Sequence, residues 1–259
     1  MPALNDIIVI DASQGKAAAL CSMLLADNGA RIIKIGQSRD YMDSDPEFAI
    51  LDRGKEFCAV SLEEKDKIEK LISVADVLVD DLDVGDDRKK NLDFVDLASL
   101  NPGLVHCSIT PFGTAGPARK EPHNPDLVKA RMGIFYSAPG FREGHIYVVH
   151  PIVEVGAGIL AAQGVVAALF SRLSTLSGRR LETSLMAGAL LFTPVAGGTS
   201  VPQQTRNSTA VGGAPFYSVY ECGDGKWLQL GCIHLGFIDQ ASSVMGIADV
   251  LLDPKYGGG

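Results

Sequence analysis

Short apolar runs rich in β-branched residues alternate with longer amphipathic segments up to residue 110. The runs are typical of buried strands, and the segments between them have helical composition. We predict strands at 7–10, 31–35, 57–62, 77–79 and 104–109, with helices at 17–28, 63–74 and 93–100. Single helices that join successive strands at this spacing indicate parallel βαβ crossovers, and hence a Rossmann-like, doubly wound parallel α/β sheet.

The pattern changes after Pro111. Frequent Gly and Pro predict a loop at 111–125, and helices are predicted at 125–135, 153–173 and 181–191. A polar stretch at 193–213 predicts a linker. Apolar runs at 216–219 and 227–230 flank Gly223-Asp224-Gly225, which predicts a β-hairpin, and a helix is predicted at 237–245. We therefore predict a large domain at 1–195, a linker at 196–214 and the start of a small α+β domain at 215–259.

Composition and charge exclude several classes of function. The net charge of −8 argues against nucleic acid as a partner, because phosphate binding needs a basic surface. Five scattered cysteines without a CxxC pair indicate free thiols in a reducing compartment, so we predict a cytoplasmic protein with no metal site. The N-terminus lacks the basic and apolar regions of a signal peptide.

The longest uncharged run covers 155–171. It is shorter than the ~20 apolar residues that a bilayer requires, and it contains Gln163. This run therefore predicts a buried core helix, and we expect no membrane partner.

Several stretches, in matching order and spacing, resemble one known family. The first are Ile-Asp-Ala-Ser at 10–13, Met-Leu-Leu-Ala-Asp-Asn-Gly-Ala at 23–30 and Ala-Asp-Val-Leu-Val at 75–79. The most specific is Leu-Asn-Pro-Gly-Leu-Val-His-Cys-Ser-Ile-Thr-Pro-Phe-Gly at 100–113. Gly-Lys-Trp at 225–227 and Asp-Pro-Lys-Tyr at 253–256 follow. On these stretches the chain resembles the family III CoA-transferases (CaiB/BaiF), a superfamily that also contains α-methylacyl-CoA racemase.

The resemblance implies more than a Rossmann-like fold. Members of this family form interlocked dimers and are considerably longer than this chain, with C-terminal segments that complete the large domain. We therefore expect either a fragment or a chain whose remainder lies on another polypeptide. An intertwined homodimer, or a heteromer with a paralogous subunit, is the assembly that the resemblance implies.

The resemblance also implies the chemistry. In the family, an active-site Asp at the start of a Gly/Ala-rich helix accepts the acyl group of an acyl-CoA and then the CoA itself, which a small carboxylic acid collects. Here the matching context is Pro-Ile-Val-Glu at 151–154, so the implied catalytic residue is Glu154. A carboxylate at a helix N-terminus is stabilised by ~0.3–1 kcal/mol, so Glu154 as a mere helix cap is the alternative. The extra methylene displaces the carboxylate, and a ~1 Å error can cost on the order of 10²-fold in rate.

The positions implied for coenzyme A, a substrate here, are partly altered. The acids Asp80, Asp81, Asp83, Asp86 and Asp87 fall in the family's nucleotide-binding loop and would repel phosphates, unless the run is only a solvated surface loop. The second strand ends at Gln37, without the family's acid and base. The implied CoA-binding residues are Gly15, Lys16, Ala17, Gln37, Asp81, Leu82 and Lys89, the last at the family's basic position.

Three functions follow from these observations. The first is a CoA-transferase that moves CoA between an acyl-CoA and a carboxylic acid through Glu154. The second is a non-catalytic structural or regulatory subunit of an active paralogue, favoured by the Glu and by the acidic loop. The third is an α-methylacyl-CoA racemase, which is disfavoured because the racemase His is Pro125 here, next to Asp126, and His123 falls in the adjacent loop.

Overall fold

The computed structural model of the chain describes residues 2–38, 45–137, 147–192 and 215–252. One compact unit comprises residues 1–134 and 148–197, and a second comprises 135–147 and 198–259. The predicted linker, the glycine pair at 212–213 within it and the segment 253–256 lie outside the described residues. The boundaries of the domains therefore stay a prediction.

Six parallel strands form the sheet of the first unit, in the order β3-β2-β1-β4-β5-β6. Successive strands run outward from β1 in one direction and from β4 in the other, so the topological switch point lies between these two strands. The predicted Rossmann-like parallel α/β sheet is confirmed. The strands are β1 (Ile8–Asp11), β2 (Arg31–Gly36), β3 (Lys55–Ala59), β4 (Val77–Asp80), β5 (Val105–Thr110) and β6 (Arg179–Ser184).

Helices flank this sheet, and several begin at capping side chains. Asp93 accepts the N–H of Val95, and Ser184 accepts the N–H of Ala187, which satisfies donors that an uncapped helix would leave free. The helices of this part of the chain are α1 (Lys16–Asp27), α2 (Glu47–Leu51), α3 (Lys65–Ile72), a 3₁₀ helix (Asp87–Leu92), α4 (Phe94–Leu100), α5 (Pro125–Arg131), α6 (Ile134–Ser137), α7 (Ile152–Thr175) and α8 (Leu185–Leu190).

The helix predicted at 181–191 is wrong in its first half. Residues 179–184 form β6, which pairs along the whole of β5, and the helix begins only after Ser184. Backbone pairing with an already formed strand overrides the helical composition of this stretch. The prediction also missed α2 and placed β3 two residues too late.

The long helix α7 packs closely against two neighbours through glycines. A Cβ on Gly156 would collide with the backbone of Gly188 in α8, and one on Gly158 would collide with the carbonyl oxygen of Ala17 in α1. Only glycine permits this approach of backbone to backbone. By length and composition α7 could also cross a membrane, a test that core helices of soluble proteins pass as well. In this unit α7 packs between α1 and α8.

A network of buried charges lies beneath β1, β2 and β3. The Lys55 ammonium group donates to Asp11 at 2.8 Å and to Asp52 at 2.7 Å, and Lys34 lies 3.2 Å from the same oxygen of Asp52. Asp11 also accepts from the Ser22 hydroxyl at 2.5 Å. Burial by itself would raise the pKa of Asp11, but Lys55 and Lys34 outweigh it and hold that pKa at about 2. Asp11 is therefore ionised throughout the physiological range.

The second unit contains the predicted hairpin. Its strands β7 (Tyr217–Glu221) and β8 (Trp227–Gly231) pair antiparallel, and Gly225 in the turn has a φ of 77°, which favours glycine. Two helices follow, α9 (Leu235–Met245) and α10 (Ala248–Leu252). The hairpin prediction is confirmed for these residues.

Candidate active site

A cavity of about 440 Å³ lies at the switch point of the sheet, where the carboxyl ends of β1 and β4 diverge. Crevices at this position are the usual ligand sites of open α/β sheets. The β1–α1 loop forms one wall, the loop after β4 forms another, and the first turn of α7 closes the third. The lining residues are Gln14, Gly15, Lys16, Ala17, Phe48, Asp81, Leu82, Asp83, Asp86, Arg88, His123, Pro125 and Glu154.

Glu154 lies in the first turn of α7 and lines this cavity. The residue is 8% exposed, and its Oε2 atom has no hydrogen-bond partner among the described residues. Burial raises the pKa of Glu154 above its usual value, while its own backbone N–H and the charge of Lys129 act in the opposite direction. The position of Glu154 at the N-terminus of α7 therefore does not by itself keep its carboxyl group ionised. A buried carboxylate with a free oxygen and a raised pKa is a typical feature of a reactive site.

Two lysines contribute positive charge near Glu154. Lys16 stands at the start of α1 and lies 3.0 Å from Asp45 and 2.8 Å from Glu47. Lys129 is almost fully buried, and its ammonium group lies 3.2 Å from Asp126. Both charges lower the pKa of Glu154, and Asp126 raises it. The lysines therefore favour the ionised, nucleophilic form of the acid without a direct ion pair to it.

The side chain of Asp81 accepts hydrogen bonds from the loop that precedes α1. Its carboxylate accepts the N–H of Gln14 at 2.9 Å and that of Gly15 at 2.5 Å. Burial raises the pKa of Asp81 to about 6 against the lowering effect of these hydrogen bonds. Backbone N–H groups at the start of a helix are a common phosphate site, and here a side chain of the protein already occupies two of them.

The acidic stretch after β4 is solvated only in its later part. The side chain of Asp87 is 88% exposed, but the first two acids are buried. Asp80 is fully buried, with its carboxylate 2.6 Å from Nε2 of His106, and Asp81 is 5% exposed. Lys89 points inward, since it donates to the carbonyl oxygen of Leu82 and to Ser108, each at 3.0 Å. It is not among the described residues that line the cavity, so its assignment to CoA binding remains a prediction.

A second cavity of about 510 Å³ adjoins the first and shares Gln14, Phe48 and Arg88 with it. Gln37, implied by the resemblance, lines this second cavity. Two cations face it: Lys34, 5.3 Å from the centre of the Phe48 ring, and Arg88, which is also 2.6 Å from Asp86. The other implied positions, Gly15, Lys16, Ala17, Asp81, Leu82 and Glu154, all line the first cavity.

Sequence reasoning missed several residues of these cavities, among them Phe48, Arg88 and His123. Phe48 comes from α2, a helix too short to show a periodic pattern. Arg88 is adjacent to Lys89, and no sequence signal distinguishes which of the two side chains faces the cavity. His123 was assigned to the loop, yet its ring lines the same cavity as Glu154. The dipeptide Pro125-Asp126 begins α5, which Asn124 caps.

Comparison with protein families identifies a match to the model of "CoA-transferase family III" over residues 4–258. Among curated relatives, (R)-2-hydroxy-4-methylpentanoate CoA-transferase of Clostridioides difficile is 26% identical over 98% of this chain and 68% of its own length. Human alpha-methylacyl-CoA racemase is also 26% identical, over 95% of this chain and 65% of its own. Acetyl-CoA:oxalate CoA-transferase of Acetobacter aceti is 29% identical over 73% and 52%. The chain thus spans about half to two thirds of these relatives.

Solved structures support the same fold. The Mycobacterium tuberculosis protein Rv3272 in its orthorhombic form superposes with a TM-score of 0.81 and 21% identity, over the whole of this chain and 72% of the other. A CAIB/BAIF family protein from Brucella suis superposes with a TM-score of 0.77 and 22% identity, over 98% of this chain and 72% of its own.

Proposed function

Because the chain belongs to CoA-transferase family III, we propose that it moves CoA between an acyl-CoA and a small carboxylic acid, with Glu154 as the nucleophile. The observation that carries this proposal is the carboxylate of Glu154 itself. It is buried, one of its oxygens has no partner among the described residues, and it faces the cavity at the sheet's switch point.

The proposed reaction proceeds through two kinds of covalent intermediate. The Glu154 carboxylate attacks the thioester carbonyl of the donor, so a mixed anhydride forms and CoA leaves as thiolate. The thiolate attacks the Glu154 carbonyl, which gives a glutamyl-CoA thioester and releases the donor acid. The acceptor carboxylate then attacks this thioester, forming a second anhydride and again the thiolate. Attack of the thiolate on the acceptor's acyl carbonyl yields the new acyl-CoA and restores Glu154.

The surroundings of Glu154 suit this chemistry. Partial exclusion of water strengthens the attraction between the developing charges and the nearby Lys16 and Lys129. Backbone N–H groups in the first turn of α7 also point toward the N-terminal end of the helix, where Glu154 lies. The acid can therefore be reactive without being held by a permanent ion pair.

The two adjoining cavities suit the extended shape of CoA. Arg88 and Lys34 offer positive charge for its phosphates in the second cavity, whereas Asp81, Asp83 and Asp86 place negative charge in the first. We therefore expect weak binding of CoA, because like charges at close range oppose the binding of phosphates.

The experiment is to trap the anhydride or thioester. The 259-residue chain is incubated with an acyl-CoA and hydroxylamine, and mass spectrometry locates the hydroxamate. We expect the adduct on Glu154 and its loss in Glu154→Gln. The matched control is Glu69→Gln, which alters an exposed carboxylate of α3 that lies 3.6 Å from Lys65 and lines neither cavity, and it should leave the adduct in place. CoA binding without any adduct at residue 154 would refute the proposal.

The non-catalytic subunit is the second candidate, and Glu154→Asp separates it from the first. This variant restores the residue that the family resemblance implies. If transfer occurs in the unaltered chain, the catalytic proposal stands. If transfer appears only in Glu154→Asp, or only when a paralogous chain is added, the unaltered chain is the non-catalytic partner.

A racemase is the third candidate, and the observation that favours it is the position of His123, whose ring lines the same cavity as Glu154. Two acid/base groups on one cavity are what a 1,1-proton transfer requires. Incorporation of deuterium at the α-carbon of a 2-methylacyl-CoA in D₂O, lost in His123→Asn, would support this function over transfer.

We further propose a cytoplasmic protein that acts as an intertwined homodimer or as a heteromer. Large apolar side chains of α7, among them Phe170 and Leu173, are more than 70% exposed in the single chain. Exposed apolar patches of this kind often mark protein contacts. Light scattering coupled to size exclusion should report a mass of at least two chains, and a monomer would contradict the assembly.

A further inference from the structure

A third cavity is also lined by Glu154. It has a volume of about 190 Å³, and apolar side chains from α1, α2 and α7 form most of its wall. Only Lys16, Glu47 and Glu154 contribute charged groups among the described residues that line it. The apolar members are Leu20, Ile50, Leu51, Pro151 and Val155.

Glu154 and Lys16 line both this apolar cavity and the polar cavity at the switch point. The carboxylate thus stands where the two cavities meet. A thioester has the same division, because its carbonyl joins a polar CoA part to an acyl part. When the CoA part lies in the polar cavity and the thioester carbonyl lies at Glu154, the acyl chain reaches the apolar cavity.

The charges around the apolar cavity disfavour a second carboxylate on the acyl chain. Lys16 is already paired with the carboxylates of Asp45 and Glu47. A carboxylate buried among Leu20, Leu51 and Val155 would lose its hydration and gain no new cation from the described residues that line the cavity. A neutral aliphatic chain loses nothing there and gains from leaving water, by about fourfold in affinity per methylene.

The volume limits the length of the chain. At about 30 Å³ per water-sized group, 190 Å³ accommodates about six such groups. This matches a short linear or branched aliphatic chain.

Building on the proposed function, we propose that the acyl groups which this site accepts are short, neutral and aliphatic, and that Leu51 and Val155 select them against dicarboxylic acyl groups. Selection is by binding of the acyl chain. It can therefore be measured without turnover.

The test uses two CoA thioethers that Glu154 cannot attack: S-(3-methylbutyl)-CoA and S-(3-carboxypropyl)-CoA. Isothermal titration calorimetry of the 259-residue chain gives their Kd values relative to free CoA. We expect the branched alkyl thioether to bind at least tenfold more tightly than free CoA, and the carboxylated thioether to bind no more tightly than free CoA. Equal or tighter binding of the carboxylated thioether would overturn the inference.

Two variants locate the effect. Val155→Phe fills the apolar cavity. It should remove most of the tenfold gain in affinity of the branched alkyl thioether over free CoA. The matched control Val166→Phe makes the same change further along α7, where the side chain is 46% exposed and does not line the cavity. Leu51→Lys adds a cation and should bring the two thioethers to similar Kd values. An unchanged preference in both Leu51→Lys and Val155→Phe would overturn the inference even if the preference itself exists.

The outcomes also separate this inference from the proposed function. An alkyl preference that Val155→Phe removes, combined with no hydroxamate at Glu154, supports the acyl cavity and refutes catalysis. A hydroxamate at Glu154 with no alkyl preference supports catalysis and refutes the acyl cavity. Absence of binding by CoA and both thioethers refutes both.

Discussion

Asp11 and Glu154 are both buried carboxylates of the same unit, yet their surroundings are opposite. Asp11 is fully buried and is bound by Lys55, Ser22 and the backbone of Ser13. Glu154 is nearly as buried, at 8% exposure, and keeps an oxygen without a partner among the described residues. The pKa of Asp11 is lowered to about 2, whereas that of Glu154 is raised. Burial alone therefore does not mark a reactive acid.

Asp81 lies between these two extremes. It is also buried, and it accepts two backbone N–H groups, but no lysine or arginine is paired with it among the described residues. Its pKa is raised to about 6, since the hydrogen bonds compensate only part of the cost of burial. The three carboxylates form a series in which reactivity should increase as the number of compensating partners decreases.

The largest effect that tests this comparison is on stability. Lys55→Met leaves Asp11 and Asp52 with much less compensating charge in the protein interior, so we expect a loss of about 3–5 kcal/mol in the free energy of unfolding. Urea denaturation measures it. Lys65→Met is the matched control, because Lys65 is exposed and lies 3.6 Å from Glu69, and it should cause no measurable loss. Equal losses in the two variants would show that the buried network is not what stabilises this end of the sheet.

The next effect is on the pH dependence of trapping. In the proposed reaction the ionised form of Glu154 is the nucleophile, and its pKa is raised. With the concentration of unprotonated hydroxylamine held constant, the rate of hydroxamate formation should therefore fall about tenfold per pH unit below that pKa. The midpoint should lie above the ordinary glutamate value of 4.5. Asp11 stays ionised over the same range because its pKa is about 2. A midpoint at or below 4.5 would contradict the raised pKa.

A smaller effect, of opposite sign for the two acids, is expected on stability at pH 7.5. A carboxyl whose pKa is raised on folding destabilises the native state as pH rises from the unfolded pKa through the folded one. Glu154→Gln should therefore raise the unfolding midpoint slightly at pH 7.5 and leave it unchanged below pH 4.5. Asp11→Asn should lower the midpoint at pH 7.5, because its lowered pKa stabilises the fold above pH 3.8. Thermal denaturation of both variants at pH 7.5 measures this contrast. A loss of stability in both would contradict the opposite signs that we predict for the two acids.

The smallest effect concerns Asp81 and the affinity for CoA. Protonation of Asp81 below about pH 6 removes a negative charge from the cavity, so CoA should bind a few-fold more tightly at pH 5 than at pH 7.5. Asp81→Asn is the comparison that cancels the titration of CoA itself. The effect of pH on CoA affinity should be smaller in Asp81→Asn by the same few-fold factor. Equal pH effects in the two proteins would show that Asp81 does not cause the change in affinity.

Much of the sheet could be predicted from sequence because strand and helix patterns alternate so regularly. The strands around Val9 and Val77 are buried on both faces and are short apolar runs. The strand around Val105 is equally buried, but His106 and Ser108 alternate with its apolar residues. The edge strand β6 could not be recognised in this way. Its residues Arg179, Arg180 and Glu182 suit a half-exposed edge but equally suit a helix, and only the pairing with β5 decides between them.

The site was predictable only in part, for a different physical reason. The family resemblance implied Glu154 and the β1–α1 loop for one site, and the fold brings both to one cavity. The directions of the side chains could not be derived from that resemblance. Lys89 turns inward to Ser108 while Arg88 faces the cavities, and Asp81 binds backbone N–H groups instead of facing solvent. Such choices depend on which polar groups of the fold need a partner.

The contacts of Gly156 with α8 and of Gly158 with α1 have a consequence for how the site can change. They hold the backbone of the first turns of α7 close to α1 and α8. In the proposed reaction the substrate therefore approaches Glu154, and not the reverse. Specificity would then change through the cavity walls that α2 and the strand-end loops contribute, while the backbone position of Glu154 is retained.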